Sequence, residues 1–163
     1  MKHSDHWAHE AVFYHLFPLG CFGAPVRNSF SDAPVDRISV LRRWFDHFAQ
    51  LGVNALMLGP IFESSTHGYD AADLFQIDRR LGDADSFAAL ARELHQRGMR
   101  LVLDGVFHHT GRDYHAFRDV LARGAASASE FRDWYHLDFE RARVRVVILS
   151  TTMGGTGTTA LRS

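Results

Sequence analysis

The sequence is poor in cysteine and in uncompensated charge, and it has no long apolar run. A single cysteine, Cys21, excludes an internal disulfide framework and fits a reducing compartment. The formal net charge of −1 gives no reason to expect nucleic acid or an anionic membrane as a partner. No stretch of about 20 apolar residues could span a membrane, and the first residues lack the apolar core of a signal peptide. We therefore expect a cytoplasmic protein.

The composition is ordinary for a soluble domain with a core, since 46% of the residues are hydrophobic and 23% are charged. Apolar strand-forming runs alternate with stretches of helical periodicity, in the order strand, helix, strand, helix, strand. Their bounds are Ala11–Pro18, Ile38–Leu51, Val53–Leu58, a helix capped by Asp83 or Asp85, and Met99–Phe107. This alternation with short turns predicts an α/β fold built on a parallel sheet.

The remaining segments divide into loops and a C-terminal helical region. Leu19–Val35 and Glu63–Gly82 are predicted loops, and the length of the second one indicates a functional role. Tyr114–Leu121 is a predicted helix, and Ser127 with Glu130 forms a candidate capping box for another helical turn.

The most informative stretch is Arg100–His109, with the sequence RLVLDGVFHH. The apolar run Leu101–Leu103 is typical of a parallel strand covered on both faces. Asp104 interrupts this run and needs a partner, because an unpaired buried charge is costly. His108 and His109 close the stretch at the predicted carboxyl end of a strand, where the functional groups of α/β sheets and barrels gather.

Three segments in this order resemble the α-amylase family of glycoside hydrolases. They are GVNALMLGPIFES at residues 52–64, GYDAADLFQIDRRLG at residues 68–82 and DGVFHH at residues 104–109. The resemblance runs from about Trp7 to Glu140 and implies a (β/α)8 TIM barrel. A complete barrel takes about 250 residues. The chain is therefore expected to cover roughly the first three strands and the start of the inserted domain that follows the third strand.

The resemblance implies retaining hydrolysis or transfer at α-glucosidic bonds of starch-like oligosaccharides. Retention requires two carboxylic groups about 5–5.5 Å apart. In the family these groups follow the fourth and fifth strands, with a third acid after the seventh, and these strands lie outside the matched part. We therefore assign no catalytic residue in this chain and expect it to be inactive alone. The alternative is a non-catalytic fragment with weak or no sugar binding.

By the same resemblance, part of the sugar-binding floor is present. His109 would hydrogen-bond a sugar hydroxyl, and Tyr69 would stack its ring on the apolar face of the sugar. Asp70 would orient neighbouring groups, and Asp104 would support the active site beneath the nucleophile. The plainer alternatives are a satisfied strand-end histidine, a loop aromatic that covers the core, and a structural acid at position 104.

The sequence gives no reason to expect a metal or another cofactor. Many family members have an asparagine that helps to bind calcium at the position that His108 occupies here. Calcium prefers oxygen ligands, so imidazole is a poor substitute. A transition-metal site of Asp104, His108 and His109 is also not expected, because adjacent residues on a strand point to opposite faces.

The composition changes after Glu140, since residues 141–163 contain no acid and end in a Gly/Thr-rich stretch. Back-translation read one base earlier allows Asp-Pro-Phe-Asn-Tyr-Asp-Gly-Trp-Asn-Gly-His-Tyr, which resembles the neopullulanase-like branch of the family. We therefore predict two regions: 1–140, the barrel part, and 141–163, an out-of-frame tail produced by a frameshift near Glu140–Arg143. A partial barrel leaves edge strands unpaired, so self-association, or a second chain that supplies the remaining strands, is expected.

Overall fold

A parallel three-stranded sheet of order β1-β2-β3 organises the protein, for which a computed structural model describes residues 6–124 and 129–137. The strands are β1 at Phe13–Leu16, β2 at Ala55–Leu58 and β3 at Arg100–Leu103. Ala55 of β2 lies in register with Phe13 on one side and with Arg100 on the other. All three strands therefore end at the same edge of the sheet, and the predicted parallel α/β arrangement is confirmed.

Helices and 3₁₀ turns fill the connections between the strands. The α-helices are α1 at Pro18–Cys21, α2 at Phe45–Gln50, α3 at Ala84–Gln96 and α4 at His115–Arg123. Short 3₁₀ helices lie at Trp7–Glu10, Ile38–Trp44 and Arg132–Trp134. The periodic stretch predicted as one helix is therefore divided into a 3₁₀ segment and the short α2. The side-chain pattern still buries one face, because Ile38, Leu41 and Phe48 are all in the core.

Helix α3 begins and ends where its sequence predicts. The Asp83 carboxylate accepts a hydrogen bond from the Ser86 amide at 2.8 Å, and the Ser86 hydroxyl oxygen accepts one from the Asp83 amide at 2.9 Å. Leu90 and Leu94 are fully buried on the inner face of the helix. Gly98 follows the helix with φ of 74°, the left-handed conformation that glycine adopts without strain.

The buried apolar side chains form two clusters. The larger cluster packs the sheet against the helices, with Leu56 and Leu58 of β2 at its centre. The smaller cluster lies in the segment after β3, where Phe117 and Val120 of α4 pack on Tyr135. The chain that follows the third strand thus has an apolar cluster of its own.

Strand β3 differs from its prediction in length and in burial. It ends at Leu103, so the predicted strand over Met99–Phe107 is wrong beyond that residue. The last ladder bond runs from the Asp104 amide to the Leu58 carbonyl at 2.9 Å, because β2 also ends at Leu58. β3 is an edge strand of the described sheet, and Leu103 is exposed, so the prediction that both faces are covered is also wrong.

Two predictions fall wholly or partly outside the described residues. Ser127 of the candidate capping box is one of them, and the tail at residues 141–163 is the other. Among the helices that the structure describes, none has both the length and the apolar character needed to cross a membrane.

Candidate functional site

A cluster of polar side chains lies at the carboxyl edge of the sheet, between the loop after β2 and the segment after β3. The edge cluster, as we call it, consists of Tyr69 from the loop and Asp104, His108 and His109 from the segment. Strand β2 ends at Leu58, and the loop that follows begins with Pro60, which has no amide hydrogen to donate to a ladder. Two consecutive strand ends therefore supply one site.

Tyr69 and Asp104 are joined directly. The Tyr69 hydroxyl donates a hydrogen bond to Oδ2 of Asp104 at 3.0 Å. This bond raises the pKa of Tyr69 above its ordinary value, since the carboxylate favours the protonated phenol, and partial burial and the negative charge of Asp104 act in the same direction. The residue as a whole is 41% exposed. Asp104, the acid that interrupts the apolar run, thus has the hydrogen-bonding partner that the sequence led us to expect. Tyr69 is held in place while part of its surface stays open to solvent.

His109 is held by both ring nitrogens. Nε2 lies 2.9 Å from the Tyr69 carbonyl oxygen, and Nδ1 lies 2.9 Å from Nε2 of His108. The two imidazole rings stand edge to face, with centroids 4.2 Å apart. The expectation that these two side chains point to opposite faces is wrong, because residues 104–109 do not continue the strand.

Asp70 stands apart from the edge cluster and braces its own loop. Oδ2 accepts a hydrogen bond from the Thr66 hydroxyl at 2.6 Å, and Oδ1 accepts one from the His67 amide at 3.1 Å. Burial opposes ionisation of this carboxyl, but the hydrogen bonds with Thr66 and the nearby His67 outweigh it, so that the pKa of Asp70 is lowered. The carboxylate therefore fixes the turn that presents Tyr69.

Gly111 permits a close approach that the sequence interpretation missed. Its amide donates to the Ala71 carbonyl at 2.8 Å, and a Cβ at this position would overlap the Asp70 carbonyl. Beside it, the Ser65 hydroxyl donates to Oδ2 of Asp113 at 2.7 Å. These contacts dock the loop on the segment after β3. A glycine two residues after His109, the candidate sugar-binding residue, was a signal in the sequence for such a close approach.

A buried ion pair between Arg80 and Asp78 anchors the same loop, and the sequence did not lead us to expect it. Arg80 and Asp78 are 5% and 0% exposed, and they form a two-point contact, with Nε 2.8 Å from Oδ1 and Nη2 2.6 Å from Oδ2. The Arg80 guanidinium also donates to the Thr66 carbonyl at 2.7 Å and to the Ser64 hydroxyl at 2.8 Å. The available signal in the sequence was an acid and a base two residues apart, directly before the buried Leu81.

Metal-ligand geometry is not found at the edge cluster. Within residues 6–124 and 129–137, no group of three or more His, Cys, Asp or Glu side chains could hold an ion. The facing nitrogens of His108 and His109 are hydrogen-bonded to each other.

The sequence of this chain matches a known protein family. The sequence profile described as "Alpha amylase, catalytic domain" matches residues 38–149. A cyclomaltodextrinase from Bacillus sp is 37% identical over 146 residues, which cover 80% of this chain and 26% of that protein. Neopullulanase 2 from Thermoactinomyces vulgaris is 37% identical over 150 residues, which cover 81% of this chain and 25% of that protein. The chain thus spans about a quarter of the length of these curated relatives.

Solved structures give the same result. The ligand-free cyclic alpha-maltosyl-(1→6)-maltose hydrolase from Arthrobacter globiformis superposes with a TM-score of 0.71 and 32% identity, covering 88% of this chain and 38% of that one. A structure described as a cyclomaltodextrinase superposes with a TM-score of 0.64 and 33% identity. Since such neighbours are TIM-barrel proteins, the predicted partial (β/α)8 barrel is confirmed.

Proposed function

This chain belongs to the alpha-amylase family of glycoside hydrolases, and we propose that it supplies the first strands and part of the sugar-binding floor of a barrel that cleaves α-glucosidic bonds. The observation that carries this proposal is the edge cluster. It joins an open aromatic ring, Tyr69, to the polar groups of Asp104 and His109 at the carboxyl ends of consecutive strands. Barrel enzymes bind substrates at this end of their strands.

The chemistry of the edge cluster suits a sugar. A pyranose ring offers an apolar face and a rim of hydroxyl groups, and an exposed aromatic ring with adjacent hydrogen-bonding side chains is complementary to both. The bond to Asp104 restricts the Tyr69 ring before any ligand arrives, so less conformational freedom is lost on binding. His109 adds a nitrogen that can donate or accept.

The substrate class follows from the relatives. The relatives include a cyclomaltodextrinase, a neopullulanase and an intracellular maltogenic amylase, so we propose maltooligosaccharides or cyclic maltodextrins as ligands and the cytoplasm as the location. We propose no cofactor, nucleic acid or membrane partner.

Bond cleavage itself is assigned elsewhere in the barrel. A retaining mechanism needs a nucleophilic carboxylate and an acid/base about 5–5.5 Å apart. The Asp104 carboxylate is bonded to Tyr69 and the Asp70 carboxylate to Thr66, and the family resemblance gives neither acid a catalytic role. We therefore propose that the 163-residue chain binds sugar without hydrolysing it.

The binding proposal is tested with the purified chain and maltoheptaose, followed by isothermal titration calorimetry or by NMR. Tyr69→Ala should abolish measurable binding, because the stacking ring is removed. Phe75→Ala is the matched control, since Phe75 is a 91% exposed aromatic in the same loop and belongs to no part of the edge cluster. Equal binding by the wild type and Tyr69→Ala would overturn the proposal.

A fragment without sugar binding is the second candidate, and one observation favours it. Both ring nitrogens of His109 are engaged by protein atoms, so a sugar hydroxyl would have to displace one of them. Absence of binding by the wild-type chain at millimolar maltoheptaose would establish this candidate. Turnover of maltooligosaccharide that His109→Ala abolishes would instead contradict the assignment of cleavage to other strands.

A further inference from the structure

The contact between His108 and His109 is not explained by the family pattern, in which an asparagine usually stands at the first of these positions. Nε2 of His108 and Nδ1 of His109 are 2.9 Å apart, so one nitrogen donates a proton and the other accepts it. His108 is exposed and belongs to neither buried apolar cluster. Its contact with the neighbouring ring is therefore its distinctive feature.

The second nitrogen of His109 decides the direction of this bond. Nε2 of His109 lies 2.9 Å from the Tyr69 carbonyl oxygen, which can only accept. Nε2 must therefore carry the proton. In the neutral ring Nδ1 then has a lone pair, and it accepts from the Nε2–H of His108. The two hydrogen bonds therefore point the same way: His108 donates to His109, and His109 donates to the Tyr69 carbonyl.

We propose that His108 is a positioning residue that, together with the Tyr69 carbonyl, holds His109 as the tautomer with the proton on Nε2 and keeps that edge of the ring on the Tyr69 carbonyl. While Nε2 of His108 carries a proton, the other tautomer of His109 is disfavoured, since it would bring two N–H groups together. His108 also fixes the plane of the His109 ring, because the two rings meet at 83°. A ligand that replaces the Tyr69 carbonyl then meets an N–H donor and must offer an acceptor, such as a sugar hydroxyl oxygen.

The relevance of the His109 tautomer to sugar binding rests on the proposed function, but the tautomer itself can be measured without a ligand. Nitrogen-15 histidine labelling and long-range proton–nitrogen NMR at neutral pH distinguish the two tautomers of each imidazole. The His109 signals are identified by their loss in His109→Gln. We expect His109 in the wild-type chain to be a single tautomer protonated at Nε2.

Three variants separate positioning from a general effect. His108→Leu removes the donor and should give His109 as a mixture of tautomers. His108→Gln should restore the single tautomer, because its terminal amide reaches the place of the imidazole Nε2. His95→Leu, on the exposed side of α3, is the matched control and should change nothing at His109. Since positions 108 and 95 are both exposed, all three chains should fold.

The proposal is overturned if His108→Leu leaves His109 a single Nε2–H tautomer, because the Tyr69 carbonyl alone would then determine it. It is also overturned if the wild-type ring carries its proton on Nδ1. Titration of the same samples with maltoheptaose tests the proposed function separately. We expect roughly tenfold weaker binding in His108→Leu, the size of one lost hydrogen bond, and recovery in His108→Gln. Normal tautomers without any sugar binding would contradict the proposed function and leave the positioning role standing.

Discussion

At the scale of single residues, the loop that carries Tyr69 is held in place by side chains with a structural role. Arg80 makes two hydrogen bonds to Asp78 and also donates to Ser64 and Thr66, and Arg80, Asp78 and Ser64 are buried. A guanidinium suits this position because its planar fork meets a carboxylate in two places and still has donors left for carbonyls. The orientation of the exposed ring therefore depends on a buried charge.

Replacement of Arg80 by lysine tests this dependence. The ammonium keeps the charge but cannot make the two-point contact and reach the Thr66 carbonyl together, so we expect the free energy of unfolding to fall by about 1–3 kcal/mol. Urea denaturation followed by circular dichroism measures the change. Arg92→Lys, at an exposed position on α3, is the control and should leave the unfolding midpoint in place. Equal urea midpoints for Arg80→Lys and Arg92→Lys would contradict a structural role of the Arg80 guanidinium.

The phenol of Tyr69 gives a pH prediction at the same scale. Its pKa is raised mainly by the hydrogen bond to Asp104, so the contribution of this bond to stability is present below the ordinary tyrosine pKa of about 10 and is lost as the pH rises through the folded value. Asp104→Asn removes the carboxylate, and the pKa of Tyr69 should move down toward the ordinary value.

Near-ultraviolet absorbance during alkaline titration follows this change. The chain has four tyrosines, so the Tyr69 component is obtained as the difference from Tyr69→Phe. An unchanged difference curve in Asp104→Asn would show that the carboxylate does not act on the phenol.

At the scale of elements, the early end of β3 creates the edge cluster. Had the strand continued through Phe107, His108 and His109 would have alternated between its faces. Because the ladder stops at Asp104, the chain leaves the strand geometry, bends at His108 and brings both rings into contact. In the same irregular segment, Phe107 is 69% exposed.

Helix α3 offers a test of how local sequence sets an element. The capping hydrogen bonds with Ser86 lower the pKa of Asp83, so this stabilisation is present above the ordinary aspartate pKa and is lost as the pH falls through the folded value. Asp83→Ala should lower the urea midpoint at neutral pH. Asp85→Ala removes an acid from the same turn without removing the cap and should have the smaller effect. The reverse order would contradict the assignment of the cap.

At the scale of the whole molecule, the sheet has two open edges among the described residues. β1 and β3 each pair on one side alone, and Phe13 and Leu103 at their surfaces are exposed. Unpaired strand edges with apolar side chains are templates for association. We therefore propose, as the sequence also led us to expect, that the isolated chain self-associates.

Sedimentation velocity over a range of concentrations tests this proposal. Leu103→Lys places a charge on the open edge of β3 and should shift the population toward monomer. Val26→Lys is the control, because Val26 is 82% exposed but lies in a loop. A wild-type chain that remains monomeric at high concentration, or an equal shift in both variants, would refute association through the strand edge.

Local sequence determined the three strands and helix α3 of this protein and their order. Strand-forming runs and helical periodicity predicted β1, β2 and the start of β3, the Asp83 cap set α3, and three motifs pointed to a partial barrel and to Tyr69, Asp104 and His109. These features depend on neighbours along the chain or on motifs that can be recognised in it. The roles of Tyr69, Asp70, Asp104 and His109 toward a sugar stay predictions.

The tertiary structure alone decided how the site is assembled. The end of β3 depends on where β2 ends, and the exposure of its faces depends on which strands pair with it. Gly111 and Arg80 act through contacts with segments distant in sequence, and the facing histidines meet at a bend that sequence periodicity does not predict. Such contacts are fixed only when strand edges and loops meet in space, so a single sequence could not specify them.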